Sequence, residues 1–137
     1  MKAGAAAWLV TWLAGALVFI ALDAIWLSQV SPLFYPAMIG EVLSGEVQLA
    51  PAIAFYVIYT GGIAILAAWP AVASGGWKKA LALGAVMGLV AYGAYDLTNQ
   101  ATLKAWDIRV TLADLAWGTF ATAIAAAAGA MAGRRVR

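Results

Sequence analysis

Four long apolar runs divide the chain, at about residues 5–30, 51–72, 80–97 and 111–132, each close to the roughly 20 residues that carry an α-helix across a hydrocarbon core. Short polar connections separate them, at residues 31–50, 75–79 and 99–110. Within the runs apolar residues fall on every side, whereas the strands of a membrane barrel would alternate polar and apolar positions. The pattern therefore predicts an all-α integral membrane four-helix bundle, a single transmembrane domain over residues 1–137. The first run is about 26 residues long, against roughly 7–15 for the apolar core of a secretory signal. With no polar region behind it, it is read as a retained span.

The positions of the charges orient these spans. Lys2, Lys78, Lys79, Arg134, Arg135 and Arg137 fall on one side, and the other holds only Lys104 and Arg109 among Glu41, Glu46 and Asp107. Basic residues concentrate in cytoplasmic loops, so both termini and the 75–79 turn are expected in the cytoplasm. The two longer connections then face out. The first carries Pro32, Phe34, Tyr35 and Pro36 and predicts a short interfacial helix around residues 37–43. The second places Trp106 between charged residues, as an interface anchor would be.

Composition strengthens the membrane assignment and narrows the chemistry. The chain is 66% hydrophobic and 10% charged, with mean hydropathy +0.92; soluble domains are nearer 45–50% and about 25%, so this chain could not cover a globule with polar surface. It has no Cys and no His. That excludes disulfides, thiolate nucleophiles, His-based relays and the usual zinc sites, and no cofactor motif is present. These absences argue against an enzyme and name no metal and no cofactor. A net charge of +2, concentrated at chain ends and one turn, excludes nucleic acid as a partner.

What chemistry remains lies in acids near the apolar spans. Asp23 precedes residue 30 by seven positions, which sets it about 10 Å below the outer end of the first helix. Tyr56 and Tyr59 follow Pro51 at similar depth, about 8 and 12 Å down the second. Tyr92 and Trp117 reach the same layer, while Asp96 closes the third helix and Asp114 opens the fourth. Trp26 shares a helical face with Asp23. Gly84, Gly88, Tyr92 and Asp96 recur every four residues, with Asn99 three further on, and Asp114, Gly118 and Thr122 repeat the spacing. Small residues at this spacing let helices approach closely, so the acids should face the bundle interior.

The candidate ligand-binding group is therefore Asp23 with Trp26, Tyr56 and Tyr59, joined by Tyr92, Asp96, Asn99, Asp114 and Trp117. Tyrosine hydroxyls, indole N–H groups, Asn99, Lys104 and Arg109 are the expected hydrogen-bond donors. A plainer reading stands beside this one. Asp23 would fasten two helices, Asp96 and Asp114 would mark helix boundaries, and the tryptophans would form an aromatic belt.

The same residues carry a family resemblance. Asp23-Ala-Ile-Trp26, Phe55-Tyr56-Val-Ile-Tyr59, Tyr92-Gly-Ala-Tyr95-Asp96-Leu-Thr-Asn99 and Asp114-Leu-Ala-Trp117-Gly118 resemble the DUF2177 family of small bacterial membrane proteins. The resemblance implies a four-helix protein of the bacterial inner membrane and assigns no activity. Three classes of function remain open. The chain could bind or transport a small molecule, ion or lipid headgroup, serve as an accessory subunit of a larger membrane complex, or take part in membrane-lipid modification. Expected partners are membrane lipids, a second copy of the chain or that larger complex.

Reporter fusions test the orientation. Fusions at Arg137 and near Gly75 should report cytoplasm, and fusions near Gly45 and Lys104 the opposite side. A result placing Arg137 and Gly45 on one side would overturn the four-span arrangement.

Overall fold

A computed structural model describes residues 2–137, with side chains from residue 4 onward. The Lys2 side chain, counted among the basic residues above, lies outside the described ones. Four helices are long and apolar enough to cross a membrane, and no strand occurs among the described residues.

The first span begins with α1, Lys2–Ile25, and winds on through a π turn, Trp26–Val30, and a 3-10 turn, Ser31–Leu33. Pro32 and Pro36 then shape the first connection: each sits in the first turn of a short element, the second being α2, Tyr35–Ile39. A proline there lacks only an N–H that would have had no helical partner. The short helix thus starts two residues before the expected interfacial segment and gives way to a 3-10 turn, Gly40–Val42. The second span combines α3, Leu49–Gly62, a π stretch, Ile63–Ala68, and α4, Trp69–Ala73. Pro70 cannot donate to the carbonyl one turn before it, and the wide π turns absorb that mismatch without breaking the helix.

Helices α5, Gly76–Thr102, and α6, Ile108–Arg135, complete the bundle. The turn before α5 needs two left-handed glycines, Gly75 at φ 91° and Gly76 at φ 60°, a conformation that costs other residues strain. Lys79 Nζ closes it by donating to the Pro70 carbonyl at 3.4 Å and to Ser74 Oγ at 3.2 Å. Helix α6 starts from a cap: the Asp107 carboxylate accepts from the Arg109 backbone N–H at 2.8 Å and pairs with its guanidinium at 2.6 Å. Those Arg109 hydrogen bonds hold the Asp107 carboxyl at about 2, below its ordinary value. The cap is thus ionised at neutral pH, and protonation removes its contribution only as pH falls through that low value.

Helix α6 is the centre of the bundle, packed along both α1 and α5. On α1 the buried residues Ala7, Thr11, Gly15, Phe19 and Asp23 recur every four positions. On α5 the buried stripe is Ala80, Gly84, Gly88 and Asp96. These ridges of small residues fit opposite flanks of α6, where Ala, Gly and Thr dominate the buried positions. A Cβ on Gly84 would lie 2.7 Å from the Thr122 carbonyl oxygen, and one on Gly129 would lie 2.6 Å from that of Thr11. A Cβ on Gly88 would overlap the Gly118 carbonyl. The small-residue stripe read from the sequence is therefore a true helix crossing. By contrast, α3 rests on α1 and its backbone stays clear of α5, whereas the π stretch and α4 pack against both α5 and α6.

Gly88→Ala should destabilise the bundle by about 1–3 kcal/mol, the usual range for overpacking, and Gly88→Leu should abolish a monodisperse fold. Val86, 62% exposed on the same helix, provides the control: Val86→Ala should change stability by under about 0.5 kcal/mol. Thermal unfolding and gel filtration in detergent read both. Equal tolerance at the two positions would mean that α5 and α6 do not cross at Gly88.

Candidate functional site

The buried acids lie toward the end of the bundle opposite the termini. Helix α6 has 28 residues, about 42 Å at 1.5 Å per residue, against a hydrocarbon core of about 30 Å. Asp114, six residues after Ile108, then sits about 3 Å inside the hydrocarbon boundary when the helix is centred. Asp96, six residues before Thr102 at the end of α5, lies at the same level. Asp96 therefore does not close its helix, which continues for another turn and a half. Asp23 is deeper, because the first span runs on to Leu33.

Two hydrogen-bonded groups form around these acids. Asp23 accepts from the Tyr56 hydroxyl at 2.5 Å and from Trp117 Nε1 at 3.4 Å, which ties α1 to α3 and α6. Asp114 accepts a hydrogen bond from the Tyr35 hydroxyl, whose oxygen in turn accepts from Trp26 Nε1 at 3.3 Å. The indoles of Trp26 and Trp117 stack at 4.7 Å with planes 10° apart, joining the two groups. Burial, reinforced by its bond to Asp114, pushes the Tyr35 phenol above its ordinary range, so it remains a donor at neutral pH.

Below this layer Tyr59 shares a 2.7 Å hydrogen bond with Thr122 Oγ1. The Tyr92 ring occupies the space over Gly118 that a Cβ would fill, and meets the Tyr59 ring edge to face at 6.1 Å. Asp96 differs from the other acids. It is completely buried, beside Asp114, and neither of its oxygens has a hydrogen-bond partner among the described residues. Asn99 is half-buried one turn beyond Tyr95 and is not among the donors to the three acids.

The expected cationic donors do not reach this layer. Arg109 spends its guanidinium on Asp107, and Lys104 is exposed. Trp106 turns inward instead of standing only as an anchor: its Nε1 donates to Thr111 Oγ1 at 2.9 Å, and Thr111 donates to Gln100 Oε1 at 3.1 Å. Among the described residues no group of three acids is placed to hold a metal ion.

Where α3 and α5 part, a cleft of about 390 Å³ opens, lined by Phe55, Tyr59, Ala91, Tyr92, Tyr95 and Asp114. Phe55 and Tyr95 are exposed and flank its mouth, while Asp114 is buried. Ring faces carry negative quadrupole potential and the carboxylate adds to it, so the cleft is apolar in shape and cation-attracting in charge. Sequence reasoning included Tyr59, Tyr92 and Asp114 but missed Tyr35, Phe55, Tyr95 and Thr122. Tyr35 and Asp114 are separated by 79 residues, and no local pattern announces that contact.

Four apolar spans with their polar groups gathered at one end define a small multi-pass membrane protein. The family model described as a predicted membrane protein, DUF2177, matches residues 8–131, and the chain belongs to that family. The match covers every candidate site residue. No curated protein and no solved structure matches the chain.

A double-mutant cycle tests the Asp23 contact. Tyr56→Phe leaves Asp23 with one long hydrogen bond and should cost about 1–3 kcal/mol of stability. The same change in an Asp23→Ala background should cost far less. Additive effects in thermal unfolding would show that the two side chains are not coupled.

Proposed function

We propose that the protein is a membrane-embedded binding protein that takes the ammonium end of an amphiphile into the cleft between α3 and α5. The observation that carries this reading is the buried Asp114 in the lining of an otherwise apolar, aromatic cleft. A neutral lipid tail would be served by the aromatic walls alone, and an inorganic cation would need more oxygen ligands than the lining offers. An alkylammonium group uses both features, with its charge on Asp114, its methylenes against Tyr59 and Tyr92, and a cation–π contribution from the rings. The depth of Asp114 supports this, because it lies where the headgroup region meets the acyl chains. The splayed backbone of α3 gives access from the lipid phase without passage through the bundle. With the basic end in the cytoplasm of a bacterial inner membrane, as the charge distribution favours, the mouth opens into the outer leaflet.

Native mass spectrometry of the protein released from micelles provides the test. Phosphatidylethanolamine and dodecyltrimethylammonium should be retained several-fold more than phosphatidylglycerol and dodecyl sulfate, and Asp114→Asn should remove the preference. The two ammonium-bearing probes, one a zwitterionic phospholipid and one a single-chain quaternary cation, distinguish a lipid headgroup from a single-chain alkylammonium as the source of the ammonium. Equal retention of all four probes, or preference for the anionic pair, would overturn the reading and bring forward an accessory role in a larger membrane complex.

A further inference from the structure

Behind the cleft wall stands a second group whose chemistry the cleft alone does not explain. Asp96 is 0% exposed, and neither carboxyl oxygen finds a donor among the described residues. Asp23 and Asp114 each receive hydroxyl or indole donors. Asp96 receives none, yet it lies against Asp114, an acid of the same sign. A buried carboxylate without a donor is costly, and a second carboxylate beside it raises the cost. One proton resolves both difficulties, because a protonated carboxyl donates to its neighbour and the pair then carries a single negative charge.

We propose that Asp96 and Asp114 form a carboxyl pair that holds one proton while the cleft is empty and releases it when an ammonium group docks on Asp114. This inference rests on the reading of the cleft as an ammonium site. The two acids approach the exchange from different sides: Asp114 lines the cleft and Asp96 does not. The ligand therefore meets one member of the pair while the other is shielded by α5. Docking brings one positive charge to the pair. The proton shared between the carboxyls leaves to water at the end of the bundle away from the termini, both carboxyls become ionised, and the ligand's charge takes the place of the proton's. One cation enters and one proton departs, with no bond of the ligand broken.

The titratable groups facing the pair set no competing switch. They are Tyr35 from α2, Tyr92 and Tyr95 from α5, Tyr59 across the cleft from α3, and Asp23 from α1. The tyrosines carry a hydroxyl group and no formal charge, and Asp23 is already supplied with two donors. No Lys or Arg forms an ion pair with either acid among the described residues.

Calorimetric titration of the full-length protein in nanodiscs with dodecyltrimethylammonium tests the exchange, with empty nanodiscs as the blank. That probe is a permanent cation, so any pH dependence belongs to the protein. Titrations in buffers of different ionisation enthalpy should count about one proton released per probe bound, with affinity rising about tenfold per pH unit where the pair is protonated. Asp96→Asn should bind the probe with affinity that no longer varies with pH and with no proton released. Infrared difference spectra of the unmodified protein give a second readout that needs no variant: probe addition should remove a protonated-carboxyl band and create a carboxylate band. Binding that is independent of pH and releases no proton would overturn the exchange and leave the cleft assignment standing. Failure of the probe to bind at any pH would overturn the cleft assignment and the exchange with it.

Discussion

Where Gly88 of α5 meets Gly118 of α6, no side chain separates the two backbones, and that closeness sets the places of Tyr92, Asp96 and Asp114 in the site. The Tyr92 ring can lie over Gly118 only because Gly118 has no Cβ. One turn further along α5, the same register sets Asp96 beside Asp114. In lipid the approach of two helices gains little from the hydrophobic effect, since the surrounding chains are as apolar as the side chains. Close contact between small residues supplies the attraction instead, and a stripe of Gly, Ala and Thr is therefore a structural instruction as well as a composition. The same device recurs on the other flank of α6, where Gly129 and Gly133 meet the Thr11 turn of α1.

A bilayer offers buried polar groups no water, so their partners must come from within the chain. Here those partners are aromatic. Tyr35, Tyr56, Trp26 and Trp117 each bring a large apolar body and a single donor, a combination suited to the border between hydrocarbon and headgroups. Lysine or arginine would have neutralised the acids outright. Hydroxyl and indole donors satisfy their oxygens without bringing an opposite charge.

The spans and the crossing were legible because both depend on local spacing: apolar length defines a span, and a four-residue repeat of small residues defines a ridge. The shared depth of Asp23, Tyr56 and Trp117 could also be read, since rise per residue converts sequence distance into height. What spacing could not give was closure. The contact of Tyr35 with Asp114 depends on how a proline-bounded connection folds back over the bundle. Helix ends were read short because α5 and α6 continue through polar residues into the interface, which is why Asp96 was taken as terminal. Arg109 was expected to reach the buried acids, but Asp107 at the start of α6 binds it first, in a local contact that needs no tertiary packing. The cleft has no signature in the chain, because it arises from a divergence of two helices and belongs to neither.

That divergence also divides the second span. Its α4 half and the π stretch are packed on both sides by α5 and α6, while the backbone of its α3 half packs chiefly on α1 and reaches α5 and α6 through the Tyr59 side chain. Substitutions along one continuous helix therefore fall under two regimes. In the packed half an altered side-chain volume is paid for in folding, and selection there is for fit. In the splayed half, positions such as Phe55 border open space, and a change in bulk reshapes what can be admitted while the rest of the bundle holds its form. The shape of the cleft can therefore change without risk to the architecture.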